Sequence, residues 1–248
     1  MSLTALRPAA LVAVGLALSI GLSGCGKSPA DAAFDNKVRA YLLEHPEVVR
    51  EALIKLQEKE DAAQNTQAVK ALGDPTIRRQ LEQDPRDFVA NPNGKVTVTE
   101  FYDYRCGHCI NAAPKIVDLV QQHPEVRFVF KEFVIFGPDS LYAARAALAV
   151  KKAGGDYVGV YRDFMASRAL DADVVDSILK RYGVDPKVLK DPAFIKTADA
   201  QLNDVRALAV KVGAAGTPHF IVGDEIVEGE DMESLANAIN KALAGKKS

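Results

Sequence analysis

The feature that most restricts the fold of this chain is a Cys-x-x-Cys motif, placed where a strand pattern changes into a helix pattern. Residues 95–102 are a β-branched and aromatic run of the kind that forms a buried strand. Beyond the motif, apolar residues recur at helical spacing, namely Ile110, Ala113, Ile116, Val117 and Val120. Cys106 and Cys109 are therefore predicted to lie on the first turn of a helix that leaves the end of a strand.

This position has a chemical consequence for the first cysteine. Unpaired backbone N–H groups and the positive end of the helix dipole stabilise an anion, so the Cys106 thiolate is favoured over the thiol. Cys109, one turn further along the helix, is close enough to attack a mixed disulfide formed at Cys106. His108 adds positive charge beside the thiolate and raises the oxidising tendency of the pair. The motif predicts a dithiol–disulfide exchange site whose redox group is the cysteine pair itself, with no other cofactor.

Three other interpretations of the motif are open. Zinc takes about four ligands, whereas the remaining cysteine, Cys25, and the other histidines are scattered without ligand spacing. An inert structural disulfide would close a loop too short to constrain much of the unfolded chain. Two soft thiolates at Cys106 and Cys109 would also bind Cu(I), and we expect no other metal. The placement of the motif favours redox activity over all three.

Size and charge exclude several classes of protein. A chain of 248 residues can bury one good-sized core and carry an appendage. The formal net charge is −2, with basic and acidic residues interleaved, so the charge pattern of a nucleic-acid-binding protein is absent from the sequence. Three cysteines, two of them in one motif, do not make a disulfide framework.

The N-terminal pattern predicts export. Arg7 precedes an apolar run, residues 9–22, that has the length of the hydrophobic part of a signal peptide and is short for a membrane span. The run ends in Leu-Ser-Gly-Cys25, which is similar to a bacterial lipobox, so residues 1–25 are predicted to be a lipoprotein-type signal with Cys25 lipidated. The alternative is a plain signal cleaved after residues 30–32, Ala-Asp-Ala, which have the small-x-small form. Both interpretations export the protein, and we expect a periplasmic location with a lipid anchor. The sequence has no second apolar run, which argues against a polytopic membrane protein.

The next segments are predicted to be a tether and a helical appendage. Residues 26–33 are small and polar, which suits a tether, and residues 34–73 have helical spacing interrupted at His45-Pro46. This helical segment has too little apolar surface to be stable alone. From the pattern, packing back on its own domain and self-association are both open.

The remaining chain, residues 74–248, is predicted to form one α/β domain. A helix is expected over residues 77–89, and a second strand over residues 126–133 makes a parallel βαβ unit with the first. Residues 139–212 are almost wholly helical in pattern and form an insertion. Residues 216–229 predict a β-hairpin, and a closing helix is expected over residues 232–243.

A proline enters the first strand of that hairpin. Pro218 lacks a backbone N–H and needs a reason to stand there. A cis Thr217–Pro218 bond, which would place the Thr217 backbone beside the active site, is one such reason. An ordinary trans proline at a strand start is the alternative.

Taken together, strand, Cys-x-x-Cys helix, strand, helical insertion, Thr-Pro hairpin and C-terminal helix resemble the thioredoxin fold in its DsbA-like form. The resemblance covers roughly residues 74–246. It implies that Cys106 is the nucleophile, that Cys109 is the resolving cysteine, and that Thr217-Pro218 is the cis-proline loop that pairs with an extended substrate. Gly107 is assigned with that loop to the substrate-binding surface.

Two more residues carry over by position. Glu100 lies six residues before Cys106, as does the buried acid of thioredoxin-fold enzymes. Such an acid has a raised pKa through desolvation and takes the proton of the resolving thiol. Lys131 stands on the next strand, where the family often has a lysine partner for that acid. The alternatives are a strand-end carboxylate and a solvated strand lysine.

Residues 41–53 resemble the N-terminal segment of the ScsC family, the suppressor of copper sensitivity proteins. This implies a periplasmic disulfide isomerase that acts on client proteins and is kept reduced by a membrane electron-transfer partner resembling ScsB or DsbD. It also implies a homo-oligomer, often a trimer, assembled through residues 34–73. A monomeric DsbA-like oxidase and a Cu(I)-binding copper-handling protein are the two alternatives. The Gly107-His108 dipeptide also occurs in protein disulfide isomerase, which fits a moderately oxidising pair.

Overall fold

The computed structural model of the protein describes residues 29–245. The predicted signal peptide, Cys25 and the first residues of the predicted tether lie outside the described residues, so lipidation stays a prediction. The described chain divides into two compact units, with the division between Gln57 and Glu58. Within the described residues, no helix is both long enough and apolar enough to cross a membrane.

The first unit contains helix α1, Pro29–Glu44, and the beginning of helix α2, Pro46–Leu72. The break at His45 is where the sequence predicts it, because Pro46 suits the first turn of a new helix. Helix α1 begins at Pro29, so residues 29–33 are helical and do not form the predicted tether. Proline in the first turn followed by alanine-rich sequence explains the early start. The large apolar side chains that this unit leaves exposed are Phe34, Val38, Tyr41, Leu43, Val48, Val49, Leu53, Ile54 and Leu56.

The second unit begins inside α2, earlier than the boundary expected at residues 73 and 74. Ala68 and Leu72 are buried, one helical turn apart. Leu72 joins an apolar cluster with Ile77, Leu81 and other residues of the redox domain. The end of α2 therefore packs on that domain. The sequence did not predict this packing, because the two buried residues are surrounded by polar and alanine-rich sequence that shows no clear apolar face.

The helix expected over residues 77–89 is shorter than predicted. Helix α3 runs Pro75–Glu82, and its N-cap Asp74 accepts a hydrogen bond from the Thr76 N–H at 2.7 Å. Pro85 then stops helical continuation, because it has no N–H and restricts the residue before it. The chain continues as an edge strand, β1, Phe88–Ala90.

The central sheet has five strands in the order β1-β3-β2-β4-β5. Strand β2, Val96–Tyr102, and strand β3, Val126–Glu132, pair in parallel and are joined by helix α4, Gly107–Gln122, which confirms the predicted βαβ unit. Strands β4, His219–Val222, and β5, Glu225–Glu228, form the predicted hairpin beside β2. Strand β1 pairs antiparallel with β3.

The predicted insertion is helical. It comprises α5, Pro138–Lys152, α6, Tyr157–Met165, α7, Ala172–Arg181, a short 3₁₀ helix, Pro186–Lys190, and α8, Pro192–Lys211. The closing helix α9 spans Met232–Gly245.

The sheet separates two apolar clusters. Val98 and Tyr102 of β2 contribute to the larger cluster, which also holds Cys106, Cys109 and residues of α4 to α7. Phe101 of the same strand contributes to the smaller cluster, with residues of α2, α3 and α8. This follows from the alternation of side chains along a strand. On β2 and β3, the even-numbered residues therefore lie on the same face of the sheet as the cysteines, and the odd-numbered residues lie on the other face.

Candidate active site

The two cysteines begin helix α4, as the sequence predicts. Cys106 is the N-cap residue, with extended backbone angles of φ −75° and ψ 118°, and Cys109 lies in the first turn. Both side chains are buried and both thiols are free in this structure. The segment that joins β2 to this helix is short, so the thiols sit beside the end of the central strand.

That segment is fixed by Asp103, a buried residue that sequence reasoning missed. Its Oδ1 accepts hydrogen bonds from the Arg105 N–H at 2.8 Å and the Ser140 hydroxyl at 2.7 Å. Its Oδ2 accepts from the backbone N–H groups of Ile135, at 2.8 Å, and Phe136, at 3.0 Å. One carboxylate thus ties the approach to Cys106 to the segment after β3 and to α5. An acidic residue directly between a strand and the motif was the available signal.

The surroundings of Cys106 lower the pKa of its thiol to about 5. The largest cause is a hydrogen bond from the Cys109 thiol, and burial opposes it. The Thr217 side chain and the backbone N–H groups of Cys109 and His108 add to the lowering. Cys106 is therefore a thiolate at neutral pH, which is the form that attacks disulfides.

Cys109 has the opposite character. Burial raises the pKa of its thiol strongly, and the hydrogen bond to Cys106 and the charge of Glu100 add to the effect. Cys109 therefore keeps its proton at neutral pH. To act as the resolving thiol it needs a base, and the sequence-predicted candidate for that base is Glu100.

Glu100 is buried on the same face of the sheet as the cysteines. Its Oε1 accepts a hydrogen bond from the Tyr161 hydroxyl at 3.3 Å, and its Oε2 has no partner among the described residues. Burial raises the pKa of this carboxyl to about 8, Tyr161 lowers it in part, and the charge of Glu132 raises it further. A carboxyl with such a pKa can exchange protons near neutral pH.

Lys131 is not the partner of Glu100, and that part of the prediction is wrong. In the parallel register, Lys131 stands beside Phe101, whereas Glu100 stands beside Phe130. Lys131 therefore projects from the opposite face of the sheet. There its ammonium group donates to the Asp87 carboxylate and to the Gln80 backbone oxygen.

The expected role of the His108 side chain also needs correction. His108 acts on the Cys106 sulfur through its backbone N–H. Its exposed ring lies instead beside Glu230, with 3.5 Å between Nδ1 and Oε1. Gly107 has open space where a Cβ would stand. The start of α4 is therefore uncrowded at this residue.

The Thr217–Pro218 peptide bond is cis, as one of the two interpretations predicted. The Cys106 Sγ lies 3.0 Å from the Thr217 backbone oxygen, which accepts a hydrogen bond from Cys106 only while that thiol is protonated. Thr217 is buried, and its side chain contributes to the lowered pKa of Cys106. The sequence-predicted nucleophile and substrate loop are thus brought together.

Glu132 is a second buried acid that sequence reasoning missed. Its Oε1 accepts hydrogen bonds from the hydroxyls of Tyr157, at 2.6 Å, and Tyr104, at 3.1 Å. Burial raises the pKa of this carboxyl to about 8, although the tyrosine hydroxyls lower it in part. The signal was present, since Glu132 follows Phe128 and Phe130 at alternate positions on the inward face of β3.

The described residues contain no group of three or more histidine, cysteine or acidic side chains that could hold a metal ion. The pair Cys106 and Cys109 offers two sulfur ligands, and Cu(I) binding there stays a prediction.

A family model described as the DSBA-like thioredoxin domain matches residues 97–240. The chain belongs to this family. A second model, described as the Copper resistance protein ScsC N-terminal domain, matches residues 32–63. The chain is thus DsbA-like and ScsC-like, as the resemblance of the motifs implied.

Solved structures agree with this DSBA-like assignment. A thioredoxin-like oxidoreductase from Silicibacter pomeroyi DSS-3 is 35% identical, with a TM-score of 0.62, over 67% of this chain and 98% of that one. Proteus mirabilis ScsC in a transitional conformation is 26% identical, with a TM-score of 0.63, over 86% of this chain and 99% of that one. Disulfide bond formation protein D of Bacillus subtilis (strain 168) is 25% identical over 187 residues, 70% of this chain and 82% of the relative.

The DSBA-like family and the site agree on the type of reaction. The protein is a thiol–disulfide oxidoreductase of the DsbA and ScsC type. Its DSBA-like site offers one thiolate at Cys106, one protonated thiol at Cys109 and one buried carboxyl at Glu100. Those are the groups that formation and resolution of a mixed disulfide require.

Proposed function

We propose that the protein is an exported, periplasmic disulfide isomerase that works as a homo-oligomer on disulfide-containing client proteins. The observation that carries this proposal is the nature of residues 32–63. They match the N-terminal domain of ScsC, and they include the exposed apolar side chains of the first unit. Helices with that much exposed apolar surface gain stability by association.

The proposed chemistry begins at Cys106. Its thiolate attacks one sulfur of a wrong disulfide, so that a Cys106–client disulfide forms and the other client sulfur leaves as a thiolate. In isomerisation a different client thiolate attacks the mixed disulfide, a new client disulfide forms, and Cys106 is released as a thiolate. No net electrons are transferred in that sequence of steps.

Cys109 provides the second way in which the mixed disulfide between Cys106 and the client is resolved. Its sulfur attacks Cys106, a Cys106–Cys109 disulfide forms, the client leaves reduced, and the Cys109 proton passes to Glu100. The Cys106–Cys109 disulfide must then be reduced, which we assign to a membrane electron-transfer partner resembling ScsB or DsbD. In the proposed complex the Thr217 backbone pairs with an extended client segment. The substrate surface includes Gly107 and Pro218.

Assembly through residues 34–73, as a trimer, would place several exchange sites around one client. Multiple sites raise the effective concentration of Cys106 near a second wrong disulfide. The proposal includes export by residues 1–25 and lipid anchoring at Cys25, which would keep the oligomer at a membrane.

The test is refolding of a scrambled disulfide substrate by the full mature chain and by a variant that does not assemble. Leu53→Gln with Ile54→Gln removes two exposed apolar side chains of α2, and Arg50→Gln is the matched control on the same helix. We expect the double variant to be monomeric in light scattering and to lose isomerase activity, while the control keeps both. A wild-type protein that fails to recover the scrambled substrate would remove isomerase from consideration.

A monomeric dithiol oxidase is the second candidate, and the lowered pKa of Cys106, to about 5, favours it. A stabilised thiolate favours the reduced form and makes the disulfide more oxidising. Trapping the cysteine pair in intact cells separates the two functions. A pair found reduced supports an isomerase, whereas a pair found oxidised supports an oxidase.

A further inference from the structure

Glu132 has no part in the exchange steps described so far, although it is buried beside the site. Glu100 and Tyr102 are two residues apart on β2 and project from one face of the sheet. Tyr102 is the register neighbour of Glu132 on β3. Glu132 therefore lies buried on the same face of the sheet as Glu100, the proposed proton acceptor for Cys109.

One helix supplies a hydroxyl to each acid. Tyr157 and Tyr161 are one turn apart on α6. Tyr157 donates to Glu132 at 2.6 Å, and Tyr161 donates to Glu100 at 3.3 Å. Both carboxyls are thus held in the same way by neighbouring positions of the same element.

Among the described residues, the side chains that act most strongly on the Glu132 carboxyl are phenols and the carboxyl of Asp103. Tyr102 extends the hydrogen-bond network, with its hydroxyl 2.7 Å from that of Tyr157. Two buried carboxylates in one site repel each other, so the ionisation of one opposes the ionisation of the other. The titratable groups that act on Glu132 are Glu100 and Tyr102 on β2, Asp103 and Tyr104 in the loop, and Tyr157 on α6.

We propose that Glu132 is a positioning residue for proton transfer, whose charge state sets when Glu100 can accept the proton that Cys109 gives up. While Glu132 is neutral, Glu100 ionises more easily and is available as the base. Once Glu132 is ionised, its charge favours the protonated form of Glu100, which cannot accept a proton. The inference rests on the exchange chemistry proposed above and applies equally to an isomerase and an oxidase.

A second contact connects Glu132 to the nucleophile. Tyr104 donates to Glu132 at 3.1 Å and lies two residues before Cys106 in the chain. Glu132 therefore also holds the segment that carries Cys106. A purely structural role through Tyr104 would change the rate of exchange without moving its pH dependence, and this distinguishes the two roles.

The experiment measures the resolving step in the full mature chain between pH 5 and pH 10. Reduced protein is mixed with oxidised glutathione, quenched with acid, and analysed by intact mass for the decay of the glutathione adduct on Cys106. The variant Glu132→Gln keeps the size and an acceptor oxygen for Tyr157 but cannot ionise. Glu125→Gln is the matched control, because Glu125 is a partly exposed glutamate just before the other end of β3.

We expect Glu132→Gln to move the acid limb of the pH–rate profile down by about one pH unit, since the like charge is gone. Glu125→Gln should leave the profile in place. In a Glu100→Gln background, adding Glu132→Gln should produce no further shift. A wild-type pH midpoint in Glu132→Gln, with normal exchange, would overturn the inference. An adduct that never forms in the wild type would instead contradict the proposed function.

Tyr157→Phe keeps the inference testable if Glu132→Gln does not fold. It removes one hydrogen bond that stabilises ionised Glu132, so Glu132 stays neutral to a higher pH. The profile should move in the same direction as for Glu132→Gln, by a smaller amount. A shift in the opposite direction, or none, would count against the role of Glu132.

Discussion

Glu100 and Lys131 lie on opposite faces of the central sheet, although they stand on neighbouring strands. The register pairs Lys131 with Phe101 and Glu100 with Phe130. Because successive side chains on a strand project from opposite faces of the sheet, Lys131 and Glu100 lie on different faces. The carboxyl of Glu100 therefore receives no stabilisation of its charge from Lys131. Its raised pKa follows from burial beside a second acid, and its electrostatics differ from those implied by the family resemblance.

Lys131 is expected to matter for stability and to have no effect on proton transfer. It forms a buried ion pair with Asp87, so Lys131→Met leaves an uncompensated carboxylate. Such a loss costs about 3 kcal/mol, which denaturant unfolding would measure. The pH midpoint of the resolving step should be unchanged. Combining Lys131→Met with Asp87→Leu should restore much of the stability, and a moved pH midpoint would contradict this assignment.

Glu100→Gln is expected to slow the resolving step. The amide cannot take the Cys109 proton, and loss of a general base typically costs at least about 100-fold. The wild-type rate should rise as Glu100 loses its proton near pH 8, whereas the variant should lack that rise. Decay of the glutathione adduct measures both effects, with Glu125→Gln as the control. An unchanged rate across this pH range would exclude Glu100 as the base.

Cys109→Ala is expected to raise the pKa of Cys106. The hydrogen bond from Cys109 is the largest cause of the lowering to about 5, and alanine cannot donate one. Alkylation rates measured against pH report the thiolate directly. Cys109→Ser, which keeps a donor, should retain more of the lowering than Cys109→Ala. A wild-type midpoint near the ordinary cysteine value of about 8.5 would contradict the thiolate site.

The elements that the sequence predicted well are those in which local pattern and tertiary packing agree. The βαβ unit, the Cys-x-x-Cys at the helix start and the hairpin within residues 216–229 each have a strong local signal. The cis bond at Pro218 was one of two open interpretations, because no local rule decides between them. The family resemblance pointed to the correct one.

The errors came from relationships that depend on register and packing. To predict the partner of Lys131, one must know that it stands beside Phe101 in the register of β2 and β3. A register shifted by one residue would place it beside Glu100, and the sequence does not fix the register to that precision. The end of α2 was assigned to the wrong unit because only two buried side chains, Ala68 and Leu72, indicate that it packs on the redox domain. Glu132 could have been predicted from the sequence. It follows Phe128 and Phe130 at alternate positions of a strand, and this pattern indicates a buried acid as clearly as the position of Glu100 does.

His219 is expected to make the domain sensitive to acid. Burial lowers the pKa of its ring to about 4 from 6.5, and its Nε2 has no partner among the described residues. The unfolded chain therefore binds a proton that the folded chain does not, so stability is lost as the pH falls from 6.5 towards 4. His219→Phe should remove this loss, on the order of 3 kcal/mol at pH 4. Urea unfolding of both proteins between pH 4 and pH 7 measures the difference, with exposed His123→Phe as the control. A wild-type and His219→Phe difference that does not change with pH would show that the buried ring is not the acid-sensitive group.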